Sequence, residues 1–192
     1  MKRILYTLLC LLLMTQIVAA DETSDVEAML KAKVDAVLTV VQNKTLEQQD
    51  KNKITAEIVE PMFDFPLMAK LALGKEHWSG ISAEKQAEFT ELFVKLLKDT
   101  YLEKLGTYTD ETVTIRKASR VGKRIHVPTE LVSKNNRIFT LYKLYKSKDE
   151  WKIYDLEVEG ISLIKSYRTQ FDSELSTGTI DDLLREMAAP KT

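Results

Sequence analysis

The sequence predicts an α+β domain, with helices packed on one face of a four-stranded antiparallel sheet. Two patterns carry that prediction. Apolar residues recur at helical spacing before Gly106 and again after Ser162, while between Val113 and Val158 they alternate at period two. Short turns separate the alternating runs, so consecutive strands can pair as a meander. Helices, then strands, then helices is an α+β order.

The first twenty residues stand apart. Lys2 and Arg3 form a basic start, Ile4 to Val18 an apolar run, and Val18-Ala19-Ala20 a small-residue cleavage site before Asp21. The run is shorter than the roughly 20 residues of a membrane-spanning helix. Residues 1–20 are therefore expected to be a signal peptide, and residues 21–192 one domain. Cys10 is the only cysteine, so residues 21–192 carry no disulfide and no thiol chemistry. A chain of this length buries about 70% of its unfolded surface, enough for one sizeable core.

Ser24 and Glu27 have capping-box spacing, and Val26, Met29, Leu30, Val34, Val37, Leu38 and Val41 share the helical face that follows. Gln42 to Lys53 is polar and reads as a loop or exposed helical connection. Ile54, Ile58 and Met62 suggest a short second helix, disturbed at Pro61. Asp64 can cap a third, with Pro66 in its first turn and Gly74 as its stop. Ser82 opens the strongest helix, with Phe89, Leu92, Phe93, Leu96, Leu97, Tyr101 and Leu105 in one stripe before Gly106.

Strands are expected at Val113–Ile115, Ile125–Val132, Ile138–Tyr145 and from Trp151 onward. Turns are expected at Val121-Gly122-Lys123, Lys134-Asn135-Asn136 and Ser147–Glu150. Pro128 inside the second strand indicates an edge or a bulge. In the fourth strand, Lys152, Tyr154, Leu156 and Val158 are expected on one face, and Trp151, Ile153, Asp155 and Glu157 on the other. Gly160 permits a sharp change of direction. Ser162 then caps a helix carrying Ile164, Tyr167, Phe171 and Leu175, which ends near Gly178. Thr179 caps a last helix with Leu183, Leu184 and Met187 inward.

Charge is unevenly distributed. Residues 116–148 hold ten basic side chains against Glu130 alone, a balance of +9, while residues 21–192 together are −3. Ordinary strands also carry outward lysines and arginines. An imbalance of this size suggests a face that steers the protein toward anionic lipid headgroups or an acidic partner.

Chemistry-bearing motifs are sparse. His77 and His126 are far apart and lack metal-ligand spacing or a serine motif around them. No glycine-rich phosphate loop follows a strand. Asp155 beside Tyr154 has two readings. It is a proton-abstracting base, or, with Glu159, it bonds backbone groups or Arg168 and holds the strand-to-helix corner at Gly160; the second is preferred. No catalytic or metal-binding residue is assigned.

Trp151, Asp155, Glu159-Gly160, Ser162, Tyr167, Arg168 and Phe171, together with Leu73-Gly74, Trp78, Phe89, Phe93 and Tyr101, resemble the signature of MlaC-type periplasmic phospholipid-binding proteins. These are also called toluene-tolerance auxiliary components of ABC transporters, of the Mla pathway. The resemblance covers roughly residues 63–187. It implies a cone-like relative of the NTF2-like fold with an apolar cavity. Phe65, Met68, Leu92, Leu96, Val113, Ile115, Ile125, Val127, Leu141 and Ile153 are the expected lining, while Asp155, Glu159 and Gly160 form the structural corner.

It further implies a soluble, monomeric periplasmic carrier with no cofactor and bound phospholipid as cargo. Such a carrier shuttles lipid between an inner-membrane MCE-domain ABC transporter complex and an outer-membrane lipoprotein complex, maintaining outer-membrane lipid asymmetry. A hollow interior and a packed one use the same residue types, so periodicity leaves two rivals open. One is an NTF2-like isomerase or dehydratase acting on a hydrophobic substrate. The other is a docking subunit of an ABC transporter with a solid core.

Overall fold

A computed structural model describes residues 17–102, 111–133 and 136–189. Its architecture is α+β, as expected, but the sheet has six strands rather than four. The strands are β1 (Thr112–Ile115), β2 (Ser119–Val121), β3 (Arg124–Ser133), β4 (Asn136–Ser147), β5 (Glu150–Val158) and β6 (Ile161–Ser162). Their order is β1-β3-β4-β5-β6, and β2 also pairs with β3. The two strands missing from the sequence reading are three and two residues long, too short for alternation to show.

β1 and β2 are two pieces of one edge, interrupted after Ile115. Pro128 of β3 explains the break. Its carbonyl accepts from Arg116 N at 2.9 Å, and its nitrogen, on the same side of the strand, has no proton to donate. β3 is therefore an interior strand, and Pro128 marks an irregularity in its neighbour instead of an edge of the sheet.

The helices are α1 (Ile17–Val41), α2 (Gln48–Val59), α3 (Phe65–Leu73), α4 (Lys75–Ser79), α5 (Ala83–Leu97), α6 (Leu163–Leu175) and α7 (Ile180–Ala188). Ser24 lies inside α1, so its capping box is not formed. The polar stretch after Gln42 is partly helical, since α2 begins at Gln48. The expected caps at Asp64, Ser82, Ser162 and Thr179 are all made: Leu67 N donates to Asp64 at 2.9 Å and Lys165 N to Ser162 at 3.1 Å. α5 passes into a π turn over Lys98–Leu102. Leu105, Gly106 and the Lys134-Asn135 turn lie outside the described residues.

Register assigns the faces of the sheet. Ile125, Val127, Leu144 and Ile153 are fully buried on the inner face. α1 lies across it through Val26 and Leu30. Polar bonds hold this helix end down: Glu22 bonds Arg120 and Lys146, and Glu27 accepts from Ala118 N. α3, α5, α6 and α7 form a second cluster around Phe89, Phe93 and Phe171. Phe89 and Phe93 stack on each other, and Phe171 meets both edge-to-face, its centroid 5.4 Å from that of Phe89, geometries that contribute beyond area burial.

The outer face of the sheet is charged. Glu130 is nearly buried there between Arg116 and Arg137, the latter at 3.1 Å. The Arg116 hydrogen bond outweighs burial and holds the Glu130 carboxyl below its ordinary value of 4.5. A depressed carboxyl pKa stabilises the fold above the unfolded value and loses that contribution as pH falls through the folded one. The stability gap between wild type and Glu130→Gln should therefore be open at about pH 6 and close below about pH 4.5. Urea midpoints across that range test this, and a gap that stays constant contradicts it.

Candidate functional site

The interior divides into two apolar clusters, and Phe63 is packed against both. This residue sits where the chain enters the sheet: it bridges Ile153, and Asp64 N donates to Ile153 O at 2.9 Å. One cluster belongs to the helices, the other to α1 and the inner face.

Burial on the inner face decays along the strands. On β3, Ile125 and Val127 are fully buried, whereas Leu131 is half-buried. On β4, Leu144 is buried, while Tyr142, Thr140 and Ile138 are half-buried. On β5, Ile153 is buried, Leu156 half-buried and Val158 exposed. Ile161, paired with Val158, is 65% exposed. The inner face is thus sealed under Val26 and Leu30 of α1 and only partly covered toward Leu131 and Val158, although the far end of α1 still reaches β1 through Gln42, which donates to Glu111 O at 3.3 Å. Val34, Val37, Ile54, Ile58, Leu92 and Leu96 on the helices are half-buried as well.

The expected lining distributes across this frame. Ile115, Ile125, Val127 and Ile153 belong to the sheet cluster, and Val113, paired with Leu131, shares their face. Phe65, Met68, Leu92 and Leu96 belong to the helical cluster. Leu141 stands apart, paired with Pro128 and Glu157 on the outer face. Phe63, Tyr142 and Leu156 also pack against the sheet cluster and are absent from the expected lining. Tyr142 and Leu156 are visible in the alternation once the register is known; Phe63 lies in an irregular stretch with no period.

The faces expected for the fourth strand need correction. A β-bulge between Ile153 and Asp155 inserts Tyr154 into β5. The insertion turns two successive side chains to one side and shifts the alternation. Trp151, Ile153, Leu156 and Val158 face inward, and Lys152, Tyr154, Asp155 and Glu157 outward.

Asp155 consequently lies on the opposite face from the apolar surface. Both of its oxygens are engaged. Oδ2 accepts from Ser162 Oγ at 2.8 Å and from Lys143 Nζ at 3.1 Å, and Oδ1 accepts from Ile164 N at 3.2 Å. Burial disfavours the Lys143 ammonium, but hydrogen bonds to Glu157 and Asp155 prevail and raise its pKa. Glu159, at φ 50, accepts from Phe139 N at 2.6 Å, and Gly160 follows at φ 79. The corner is therefore built from backbone bonds, Ser162 and Lys143. Arg168 is not among the partners of Asp155; it lies nearby with its guanidinium against Gly74.

A small outer-face cavity of about 200 Å³ opens beside this corner, lined by Arg124, Lys143, Tyr154, Asp155, Lys165 and Arg168 among others. Arg124 lies 4.7 Å from the centre of the Tyr154 ring and donates to its hydroxyl at 3.2 Å. Burial, with Lys143 and Arg124 nearby, lowers the pKa of His126. Among the described residues no group of three or more His, Cys, Asp or Glu side chains is placed to hold a metal ion. No described helix is long and apolar enough to cross a membrane.

A family model described as MlaC protein matches residues 31–189. The chain belongs to the MlaC family. It is 24% identical over 178 residues to the intermembrane phospholipid transport system binding protein MlaC of Haemophilus influenzae, which covers 88% of this chain and 83% of that protein. It is 26% identical over 142 residues to the toluene tolerance protein ttg2D of Pseudomonas putida, covering 70% of this chain and 66% of that one. The solved structure of a phospholipid-binding protein from Ralstonia solanacearum, in complex with a phospholipid, matches with a TM-score of 0.74. That match has 24% identity and covers 84% of this chain and 93% of the other. At that identity the likeness shows that this MlaC-family chain shares the fold.

Proposed function

We propose that the partly covered end of the inner face holds the acyl chains of a phospholipid, and that the protein is a periplasmic lipid carrier without a catalytic step. The decay of burial from Ile125 toward Leu131 and Val158 is the observation that carries this reading. It leaves apolar side chains partly uncovered inside a fold shared with a protein whose structure was solved in complex with a phospholipid.

The magnitude of the hydrophobic effect makes such a site necessary for a carrier. A sixteen-carbon chain exposed to water costs about 12 kcal/mol, at about 0.8 kcal/mol per CH₂, so unassisted passage through an aqueous compartment is negligible. A surface that only approximates the bilayer interior allows loading and release to stay nearly balanced. In this reading residues 1–20 direct export. The chain then passes lipid between an inner-membrane MCE-domain ABC complex and an outer-membrane lipoprotein complex, in support of outer-membrane asymmetry. The family membership and the names of the relatives support this assignment.

The position of Asp155 argues against the isomerase reading. Its oxygens are occupied on the face away from the apolar surface, whereas a base acting on a buried hydrophobic substrate must reach it within hydrogen-bond distance. Organic-solvent extraction of the purified protein, followed by mass spectrometry, tests the proposal. Co-purified phospholipid in near-stoichiometric amount is expected. Protein that is folded yet repeatedly free of lipid, even after incubation with phospholipid vesicles, overturns it.

A further inference from the structure

We infer that the outer-face cavity beside the β5–α6 corner is a binding site for a phosphate group, separate from the apolar surface across the sheet. The cavity is lined by four cations, Arg124, Lys143, Lys165 and Arg168, and by one acid, Asp155. Asp155 and Glu157 both engage Lys143, which leaves a local balance of +2. Arg124, Lys165 and Arg168 make no ion pair among the described residues.

Of the three unpaired cations, Arg124 is held by a neighbour and Arg168 lies close against the chain at Gly74. Tyr154 stacks under Arg124 and bonds it through its hydroxyl. The bulge in β5 is what turns Tyr154 to this side. Arg168 occupies the space that a side chain at position 74 would fill: a Cβ on Gly74 would approach its Nε and one terminal nitrogen to 3.3 Å. A guanidinium held as that of Arg124 is suits bidentate recognition of an oxyanion and loses little freedom on binding it, and Arg168 offers a second fork at the same cavity. Asp155 and Ser162 already satisfy the Ile164 and Lys165 amides at the start of α6, so recognition rests on the side chains.

Size narrows the ligand. At about 200 Å³ the cavity falls below the roughly 300–1,000 Å³ typical of organic-ligand pockets. It suits a phosphate with its waters, free or as the exposed part of a lipid headgroup, and not an acyl chain. A contrasting hollow of about 410 Å³ on the outer side of α5 holds Lys95 and Lys98. Both of these are already paired, with Asp99 and Glu60 at 2.7 Å, so that surface has no comparable excess of charge.

The test is titration of the full chain with inorganic phosphate at constant ionic strength, using chloride as the balancing salt and amide NMR as the readout. Saturable shifts confined to Arg124, Lys143, Tyr154 and Ser162–Arg168 are expected. Arg124→Gln and Arg168→Gln should each weaken phosphate binding at least about tenfold, a loss of about 1.4 kcal/mol. Lys165→Gln changes an exposed side chain and keeps the test valid should either arginine variant fail to fold. It should weaken binding severalfold, and Lys95→Gln should leave it unchanged. A second arm adds phosphatidylglycerol vesicles: displacement of phosphate assigns the site to a lipid headgroup, and its absence assigns the site to a soluble phosphate. Shifts that chloride reproduces, or that persist unchanged in the arginine and Lys165 variants, overturn the inference.

Discussion

Leu156→Trp should strip most of the bound phospholipid from the protein while leaving the thermal midpoint of the lipid-free protein nearly unchanged. Leu156 is half-buried on the inner face, opposite Tyr142 and between buried Ile153 and exposed Val158. An indole there displaces roughly four methylenes of a bound chain. At about 0.8 kcal/mol each, that is about 3 kcal/mol, or about a hundredfold in affinity. Leu96→Trp on α5 should act similarly from the helical wall. In a solid core the same enlargement costs about 1–3 kcal/mol, which for a domain of this size lowers the midpoint by about 2–12 °C. Lipid content, and the midpoint of the same samples after lipid removal, separate the two cases. A large fall in midpoint with lipid retained would remove the acyl chains from this surface.

Asp155→Ala is expected to be the most damaging single change at the corner. The side chain is nearly buried and accepts from Lys143, Ser162 and Ile164 N. Breaking a buried pair by removing one partner typically costs about 3–5 kcal/mol. Lys143 keeps Glu157 at 2.8 Å, which places the loss at about 3 kcal/mol, the lower end of that range. Asp155→Asn preserves the shape and should cost about 1–3 kcal/mol. Chemical denaturation measures both. Neither variant should abolish a turnover. An isomerase or hydrolase activity present in wild type and lost in Asp155→Asn at unchanged stability would reverse the structural assignment.

Local signals were legible wherever chemistry acts over a few residues. Asp64, Ser82, Ser162 and Thr179 are legible as caps because a short polar side chain and the backbone amides from which it accepts lie within one turn. Gly74 and Gly160 are legible as breaks, and both adopt positive φ. Ser24 misled for the same reason: capping-box spacing is a local pattern, and α1 runs through it. Strand count fell short because β2 and β6 span too few residues to repeat a period.

By itself the sequence determined the α+β order, the helix boundaries with chemical caps, the long strands, the basic segment and the family signature. All of these depend on residue type and spacing along the chain. The tertiary structure alone decided which side of the sheet each of those residues serves. One inserted residue at Tyr154 sends Asp155 to the outer face with Arg124 and Lys143, and leaves Leu156 inward. A strand has period two, so a single bulge inverts every assignment beyond it. The same holds for the partly covered end of the inner face. Leu131 and Val127 have the same parity and similar chemistry, and only the placement of the helices leaves one half-buried and the other sealed.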